Sequence, residues 1–169
     1  QGKIRYMGVS NIDRDLLPKR LPAFFKTYSF EYNILENSHL GKINKFSQDK
    51  DLIFLSWGSL CQGLLSGNIN DKTLFFENDR RSRDSYKHFH NDLFKSNLSK
   101  VEKLKSIAKV MQVSPASFSL NWILNTIDHS ISLFGSTKLT ELNECIKDEC
   151  YTIEEKILEK VEYIQNEKY

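Results

Sequence analysis

Residues 51–67 read DLIFLSWGSLCQGLLSG, and this stretch decides the fold. Residues 52–56 form an apolar run typical of a buried strand, and the segment that begins at Trp57 contains three glycines and predicts a tight loop. In parallel α/β folds the binding site lies at the carboxyl ends of the strands, where a large ring beside small residues suits a flat ligand. The stretch therefore predicts a ligand site at the end of a strand.

The same alternation of strand and helix occurs four times along the chain. Strands are predicted over residues 4–9, 27–32, 52–56 and 131–134. Helices are predicted over residues 13–21, 39–48, 98–111, 115–125, 139–146 and 152–167. An irregular segment, residues 57–97, follows the third strand and far exceeds the usual α/β connection of about 2–6 residues. Long insertions of this kind commonly carry function.

Strands that alternate with helices pair in parallel, which leaves two alternatives: an open doubly wound sheet or a section of a (β/α) barrel. The first predicted strand is not followed by Gly-x-Gly-x-x-Gly, which disfavours the dinucleotide-binding doubly wound fold. A closed eight-unit barrel needs about 250 residues. We therefore expect an α/β fold of TIM-barrel type, in which residues 1–169 are a single domain, half of a (β/α)8 barrel with outer helices. Its two unpaired sheet edges predict a partner or a fragment.

Composition excludes several classes of function. The chain is 40% hydrophobic and 27% charged with a net charge of +2, which is typical of one ordinary folded domain. The charged residues are spread along helical faces, so we expect neither nucleic acid nor a membrane surface as a partner. No apolar run approaches the length of about 20 residues that a membrane span needs, and no signal segment opens the chain.

The cysteines indicate a reducing compartment. Cys61, Cys145 and Cys150 are an odd number in a chain large enough to fold without a disulfide, so a cytoplasmic location is expected. No second pair at ligand spacing accompanies Cys145 and Cys150, and we predict no metal site. His88 and His90 lie in a polar segment and are expected on the surface.

Several short blocks, in order and at similar spacing, resemble the second half of the aldo-keto reductases. The resemblance is nearest to the branch with the potassium-channel β subunits and bacterial general-stress reductases, and it covers essentially the whole chain. The blocks are GKIRYMGVSN at 2–11, EYN at 31–33, WGSLCQGLLSG at 57–67, FENDRRSR at 76–83, VSPA at 113–116, NW at 121–122 and GSTK at 135–138.

The resemblance implies an NAD(P)H-dependent oxidoreductase that reduces small carbonyl substrates to alcohols, with NADP or NAD bound across the carboxyl ends of the strands. It places Ser10 and Asn11 at the nicotinamide carboxamide, with Ser29 at the third position of that clamp, and Trp57 on the nicotinamide ring. The implied pyrophosphate contacts are Gly58, Leu60 and Gln62. The implied adenosine contacts are Gly135, Ser136, Thr137, Lys138, Glu141, Glu144 and Cys145.

Four positions depart from the pattern of the family. Ser29 stands where the family usually has Gln, and Asn68 stands where the channel-subunit branch has Lys. Glu141 replaces an Arg or Gln, and Cys145 replaces an Asn. A carboxylate at position 141 would repel a 2′-phosphate and accept a hydrogen bond from a free 2′-hydroxyl. This position favours NADH over NADPH unless Lys138 compensates.

No catalytic residue can be assigned. The proton-donor tyrosine of the family, with its aspartate, lysine and histidine partners, belongs to the first half of the barrel, so this chain alone is expected to be inactive. Tyr6, Tyr28 and Tyr32 are expected to pack in the core or at its rim. The charged run 79–81 is either a solvated loop or a phosphate contact, since the family closes this loop over the cofactor.

Two main interpretations follow. In the first, the chain is the carboxyl half of a longer aldo-keto reductase, which fits a start at Gln1, without Met and directly before a strand. In the second, it is a non-catalytic half-barrel that acts as a binding or assembly subunit, as a homodimer or paired with an amino-terminal half-barrel. A third, an unrelated phosphate-binding α/β domain, would make the ordered resemblance a coincidence.

Overall fold

The computed structural model describes residues 2–148 and 150–167, in which four strands form one parallel sheet. The strands are β1 (Met7–Ser10), β2 (Phe25–Glu31), β3 (Ile53–Trp57) and β4 (Ser130–Ser132), and they lie side by side in chain order. Every neighbouring pair is parallel, as the alternation of strand and helix predicts. The carboxyl ends of all four strands therefore point to one edge of the sheet.

Five α-helices accompany the strands in the described part of the chain. They are α1 (Leu40–Ser47), α2 (Asn91–Val110), α3 (Pro115–Thr126), α4 (Leu139–Ile146) and α5 (Glu155–Asn166). The start of α3 is fixed by Ser114, whose side-chain oxygen accepts a hydrogen bond from the backbone N–H of Ser117 at 3.0 Å. None of these helices, within the residues described, combines the length and the apolar character that crossing a membrane requires.

Two helix predictions need correction. Residues 13–21 form only a 3-10 turn, Arg14–Leu16, because Pro18 cannot donate to a helical ladder and the Arg14 guanidinium instead bonds the carbonyls of Pro18 and Lys19 at 3.0 and 2.9 Å. Helix α2 begins at Asn91 and not at residue 98. Its early turns bury the polar Asn97, so apolar periodicity does not mark them.

The core lies between one face of the sheet and the helices. Tyr28 of β2 is 1% exposed and stacks on Phe46 of α1, with ring centroids 4.7 Å apart. Tyr32, just after β2, stacks on Trp122 of α3 at 5.3 Å. Both tyrosines are thus core residues, as predicted, whereas Tyr6 is 64% exposed.

The opposite face of the sheet remains open. Ile53 of β3, Ile131 of β4 and Leu133, which follows β4, are 38%, 47% and 43% exposed, although large apolar side chains are more often buried. The outer strands β1 and β4 each have one strand neighbour within the described chain. Among the described residues, the sheet therefore has helices on one face only and two free edges.

Candidate functional site

Buried hydrogen bonds join the loops that leave β2 and β3. Asn33 is fully buried, and its side-chain nitrogen donates to the carbonyl of Gly58 at 2.9 Å. Its side-chain oxygen accepts from the N–H groups of Leu35 and Glu36, also at 2.9 Å. The Ser56 hydroxyl donates to the carbonyl of Tyr32 at 2.6 Å. These bonds fix both exit loops relative to the sheet.

The loop after β3 is tightly wound because several of its residues adopt left-handed backbone angles. Gly58 has φ 63°, and a Cβ atom there would lie 2.9 Å from Oε1 of Glu31. Gln62 and Gly63, at φ 49° and 95°, separate two short 3-10 turns within Cys61–Ser66. Leu64 is completely buried beneath the turns and anchors them. Glycine adopts the left-handed conformation at position 58 without the steric cost that a side chain would add.

A cavity of about 680 Å³ lies between this loop and the exit of β4. Ten of the fourteen residues that the sequence analysis assigns to the cofactor line it. They are Gly58, Leu60, Gln62, Gly135, Ser136, Thr137, Lys138, Glu141, Glu144 and Cys145. Two segments about 70 residues apart in sequence, residues 58–62 and 135–145, thus line one cavity.

The other four assigned residues lie outside the cavity wall. Ser10 pairs with Ser29 across β1 and β2, and the N–H of Asn11 donates to the carbonyl of Ser29 at 2.9 Å. These three residues therefore form a second group, on the first two strands. Trp57 ends β3 opposite Glu31 and directly precedes Gly58 in the wall.

Trp57 carries an unsatisfied hydrogen-bond donor. Its side chain is half-buried, and its Nε1 atom is buried without an acceptor among the described residues. A buried N–H without a partner costs about 1–3 kcal/mol. Trp57 therefore fits a site that a molecule outside this part of the chain completes.

The exit of β4 holds a compact set of charged and polar groups. The Glu141 carboxylate, at the start of α4, accepts hydrogen bonds from the Ser136 hydroxyl and the Lys138 ammonium, both at 3.0 Å. The bond from Lys138, and after it the bond from Ser136, lowers the pKa of Glu141 below its ordinary value. The Lys138 N–H also donates to the Ser136 oxygen at 3.1 Å. Glu141 is therefore ionised at neutral pH.

Cys145 forms the apolar wall at the far side of this exit. It is 9% exposed and packs with Ala116 and Leu120 of α3. Burial raises the pKa of its thiol, so the side chain is a neutral hydrophobic group. It offers contact area and no charge.

Arg81, from the charged run that the sequence left undecided, lines the cavity. Its guanidinium forms a two-point contact with the Asp79 carboxylate at 2.6 and 3.0 Å and lies 4.6 Å over the Phe75 ring. This contact lowers the pKa of Asp79 to about 2. One guanidinium nitrogen is also 3.5 Å from the carbonyl of Gln62. The part of the irregular segment that contains Arg81 thus folds back onto the wound loop, residues 58–67.

Further wall residues were not predicted to contact the cofactor, although Asn68 was noted as a departure from the family pattern. They are Ser59, Gly63, Ser66, Asn68, Ile69, Ala116, Leu133 and Phe134. Leu133 and Phe134 fall within the predicted fourth strand, immediately before Gly135, and their place at a strand exit was the available signal. Ile69 follows the wound loop and had no distinguishing pattern.

A buried polar cluster ties the insertion to the exit of β2. His88 and Glu36 are both 7% exposed, and Nε2 of His88 lies 3.3 Å from the Glu36 carboxylate. The Asn97 amide donates to Nδ1 of His88 at 3.2 Å. The expected surface position of His88 is therefore wrong, because its ring has two buried partners. The described residues contain no group of three side chains that could hold a metal ion.

The Glu36 carboxylate is the acceptor at the centre of this cluster. It also receives hydrogen bonds from Lys87, at 2.6 Å, and from the Ser38 hydroxyl. The bond from His88, followed by those from Lys87 and Ser38, holds the pKa of Glu36 well below its usual range despite burial. Glu36 is therefore ionised in the folded chain.

Comparison with known proteins identifies relatives of the whole described fold. Residues 1–164 match the model of the aldo/keto reductase family. The chain is 32% identical over 143 residues to aldo-keto reductase YhdN of Bacillus subtilis, a match that covers 83% of this chain and 43% of that protein.

Solved structures agree with this match. A glycerol dehydrogenase from Gluconobacter oxydans is 25% identical to this chain and has a TM-score of 0.79. The alignment covers 96% of this chain and 49% of the dehydrogenase. An aldo/keto reductase from Klebsiella pneumoniae, solved with NADP and acetate, is 15% identical to this chain and has a TM-score of 0.65. The alignment covers 97% of this chain and 49% of that reductase. The chain therefore spans about half the length of the relatives it matches.

We expect Glu36→Gln to destabilise the fold at neutral pH by about 1–3 kcal/mol, because three donors would lose a charged acceptor. A depressed folded pKa contributes stability that is present above the ordinary value of 4.5 and is lost as pH falls below it. The difference between wild type and variant should therefore shrink below about pH 4.5. Urea unfolding of both proteins, followed by circular dichroism at pH 7 and pH 3.5, measures this difference in the free energy of unfolding.

Glu102→Gln is the control, because Glu102 pairs with Lys105 on the exposed surface of α2. This change should alter the unfolding free energy by less than about 0.5 kcal/mol at neutral pH. Equal effects of the two substitutions, or an effect of Glu36→Gln that does not vary with pH, would contradict the role given to the buried cluster.

Proposed function

We propose, from the premise that this chain belongs to the aldo/keto reductase family, that it supplies the cofactor-binding half of a nicotinamide-dependent oxidoreductase. The family is one of oxidoreductases, and the chain corresponds to about half of its relatives. In this proposal the chain is the carboxyl-terminal half of the barrel and acts in the cytoplasm. The complete protein reduces a small carbonyl compound to an alcohol.

The observation that carries the proposal is the shared cavity at the exits of β3 and β4. Most of the assigned cofactor positions meet there, although they come from segments far apart in the sequence. Their chemistry fits an extended dinucleotide: the loop after β3 offers backbone amides, and a polar turn precedes a helix at the exit of β4. The aromatic ring of Trp57 directly precedes the cavity wall at Gly58. The Klebsiella relative was solved with NADP, which is a nicotinamide dinucleotide.

Different residues of this chain would contact different parts of the cofactor. Trp57 would stack on the nicotinamide and fix the face that it presents, with Ser10, Asn11 and Ser29 at its carboxamide. The backbone of the wound loop would hold the pyrophosphate, and the exit of β4 would hold the adenosine end. The cofactor, when bound, supplies a hydride for the carbonyl carbon. The chain contributes orientation and excludes water from the ring.

The proposal requires a second half-barrel for catalysis. Reduction of a carbonyl needs a proton donor as well as a hydride, and no such donor is assigned in this chain. An amino-terminal half-barrel would supply the donor and cover the open sheet face, where Ile53, Ile131 and Leu133 are exposed.

A second candidate function is a non-catalytic half-barrel that binds a cofactor or assembles with a partner, including a second copy of itself. The observation that favours it is the set of altered positions in and beside the cavity, of which Asn68, Glu141 and Cys145 lie in its wall. Loss of the usual contacts would weaken cofactor binding without disturbing the fold.

Trp57→Ala should weaken NADH binding by about 1–3 kcal/mol, the scale of one buried aromatic contact. Isothermal titration calorimetry of the purified chain with NADH measures the change. Tyr163→Ala is the matched aromatic control, since Tyr163 is 73% exposed on α5, and it should bind NADH as the wild type does. Equal affinity of wild type and Trp57→Ala would remove Trp57 from the site.

The purified chain alone should not oxidise NADH or NADPH in the presence of a small aldehyde, because the hydride acceptor would lack its proton donor. Loss of the reduced-nicotinamide absorbance with time is the measurement. Turnover that disappears when Tyr6, Tyr28 or Tyr32 is replaced by Phe would show that the chain contains a donor and would contradict the half-barrel assignment.

A further inference from the structure

The Glu141 carboxylate accepts hydrogen bonds from the same donors that a bound anion at the exit of β4 would use. The turn after β4 offers two side-chain donors, the Ser136 hydroxyl and the Lys138 ammonium. Both donate to Glu141, one to each carboxylate oxygen and each at 3.0 Å. A carboxylate and a phosphate are alike in charge sign and in their capacity to accept hydrogen bonds. The Glu141 carboxylate thus uses the two donors that a ligand phosphate at this position would need.

The charges around the cavity lead to the same conclusion. The charged side chains that line it, among the residues described, are Arg81, Lys138, Glu141 and Glu144. Arg81 is paired with Asp79 at 2.6 Å, and Lys138 is paired with Glu141. Each cation therefore has its own carboxylate, and Glu144 adds a further negative charge.

A phosphate monoester carries about −1.5 to −2 charges at neutral pH. Next to Glu141 it would meet repulsion that the paired Lys138 no longer offsets. A ribose 2′-hydroxyl, in contrast, is a donor and can bond an oxygen of Glu141, which is the arrangement that acidic residues make with NAD in dinucleotide-binding folds. Glu141 has a 37% exposed side chain and is within reach of a ligand in the cavity.

We propose that Glu141 is a specificity-determining residue that makes the adenosine end of this site select NAD(H) and reject NADP(H). The selection has two parts: the carboxylate accepts from the 2′-hydroxyl of NAD(H), and it neutralises Lys138, the cation that would otherwise attract a 2′-phosphate. This inference rests on the proposed function, because it takes the exit of β4 as the adenosine end.

Calorimetric titration of the full chain with NADH and with NADPH, at pH 7 and low salt, tests the selection. We expect NADH to bind at least about tenfold more tightly than NADPH, as one unscreened like-charge contact of this kind would produce. In Glu141→Gln the ratio should fall to about threefold or less, mainly because NADPH binds more tightly once the repulsion is removed. Circular dichroism verifies that the variant is folded.

Glu102→Gln is the control, because it removes the same charge from the exposed surface of α2, outside the cavity, and leaves the bonds to Ser136 and Lys138 intact. It should retain most of the preference for NADH. NADPH binding as tightly as NADH to the wild type, or equal effects of the two substitutions, would overturn the selection by Glu141 and leave the proposed function intact. Binding of neither cofactor would overturn the proposed function and this inference with it.

Discussion

The buried side chain of Asn33 is the contact on which the geometry of the site depends. It closes the turn after β2 through two backbone N–H groups and reaches across to the carbonyl of Gly58 after β3. An amide that is 0% exposed and bonded at both ends holds the two loops at one separation, because losing either bond would leave a buried polar group without a partner. Trp57 and the wound loop therefore take their positions from the neighbouring strand.

In the described part of the chain, both cationic side chains that line the cavity are paired with carboxylates, and this pairing affects which ligands can bind. Arg81 and Lys138 approach it from opposite sides, and each is held by a carboxylate of the chain. Pairing reduces the attraction of these two cations for additional anions. Recognition then depends on backbone amides, ring stacking and a hydroxyl acceptor more than on net positive charge.

The sequence predicted the parallel sheet because strand-helix alternation permits few other arrangements, and the segments 58–62 and 135–145 meet because parallel strands end at one edge. It could not predict the His88 cluster. A histidine in a polar segment is usually exposed, and its partners are polar residues without a pattern: Glu36 lies 52 residues away in sequence and Asn97 nine residues away. The expected helix at residues 13–21 failed because its leucine spacing was helical while Pro18 excluded the backbone ladder.

The most direct test of the central claim is to map where a nicotinamide cofactor binds. Titration of the ¹⁵N-labelled chain with NADH, followed by backbone amide chemical shifts, should change residues 58–69 and 135–145 most and leave the outer helix α5 unchanged. The structure offers a competing location, a cavity of about 800 Å³ beside Arg14, Lys45 and Asp49, near the amino end of β3. Shifts centred on that cavity, or no shifts at all, would contradict a cofactor site at the exits of β3 and β4.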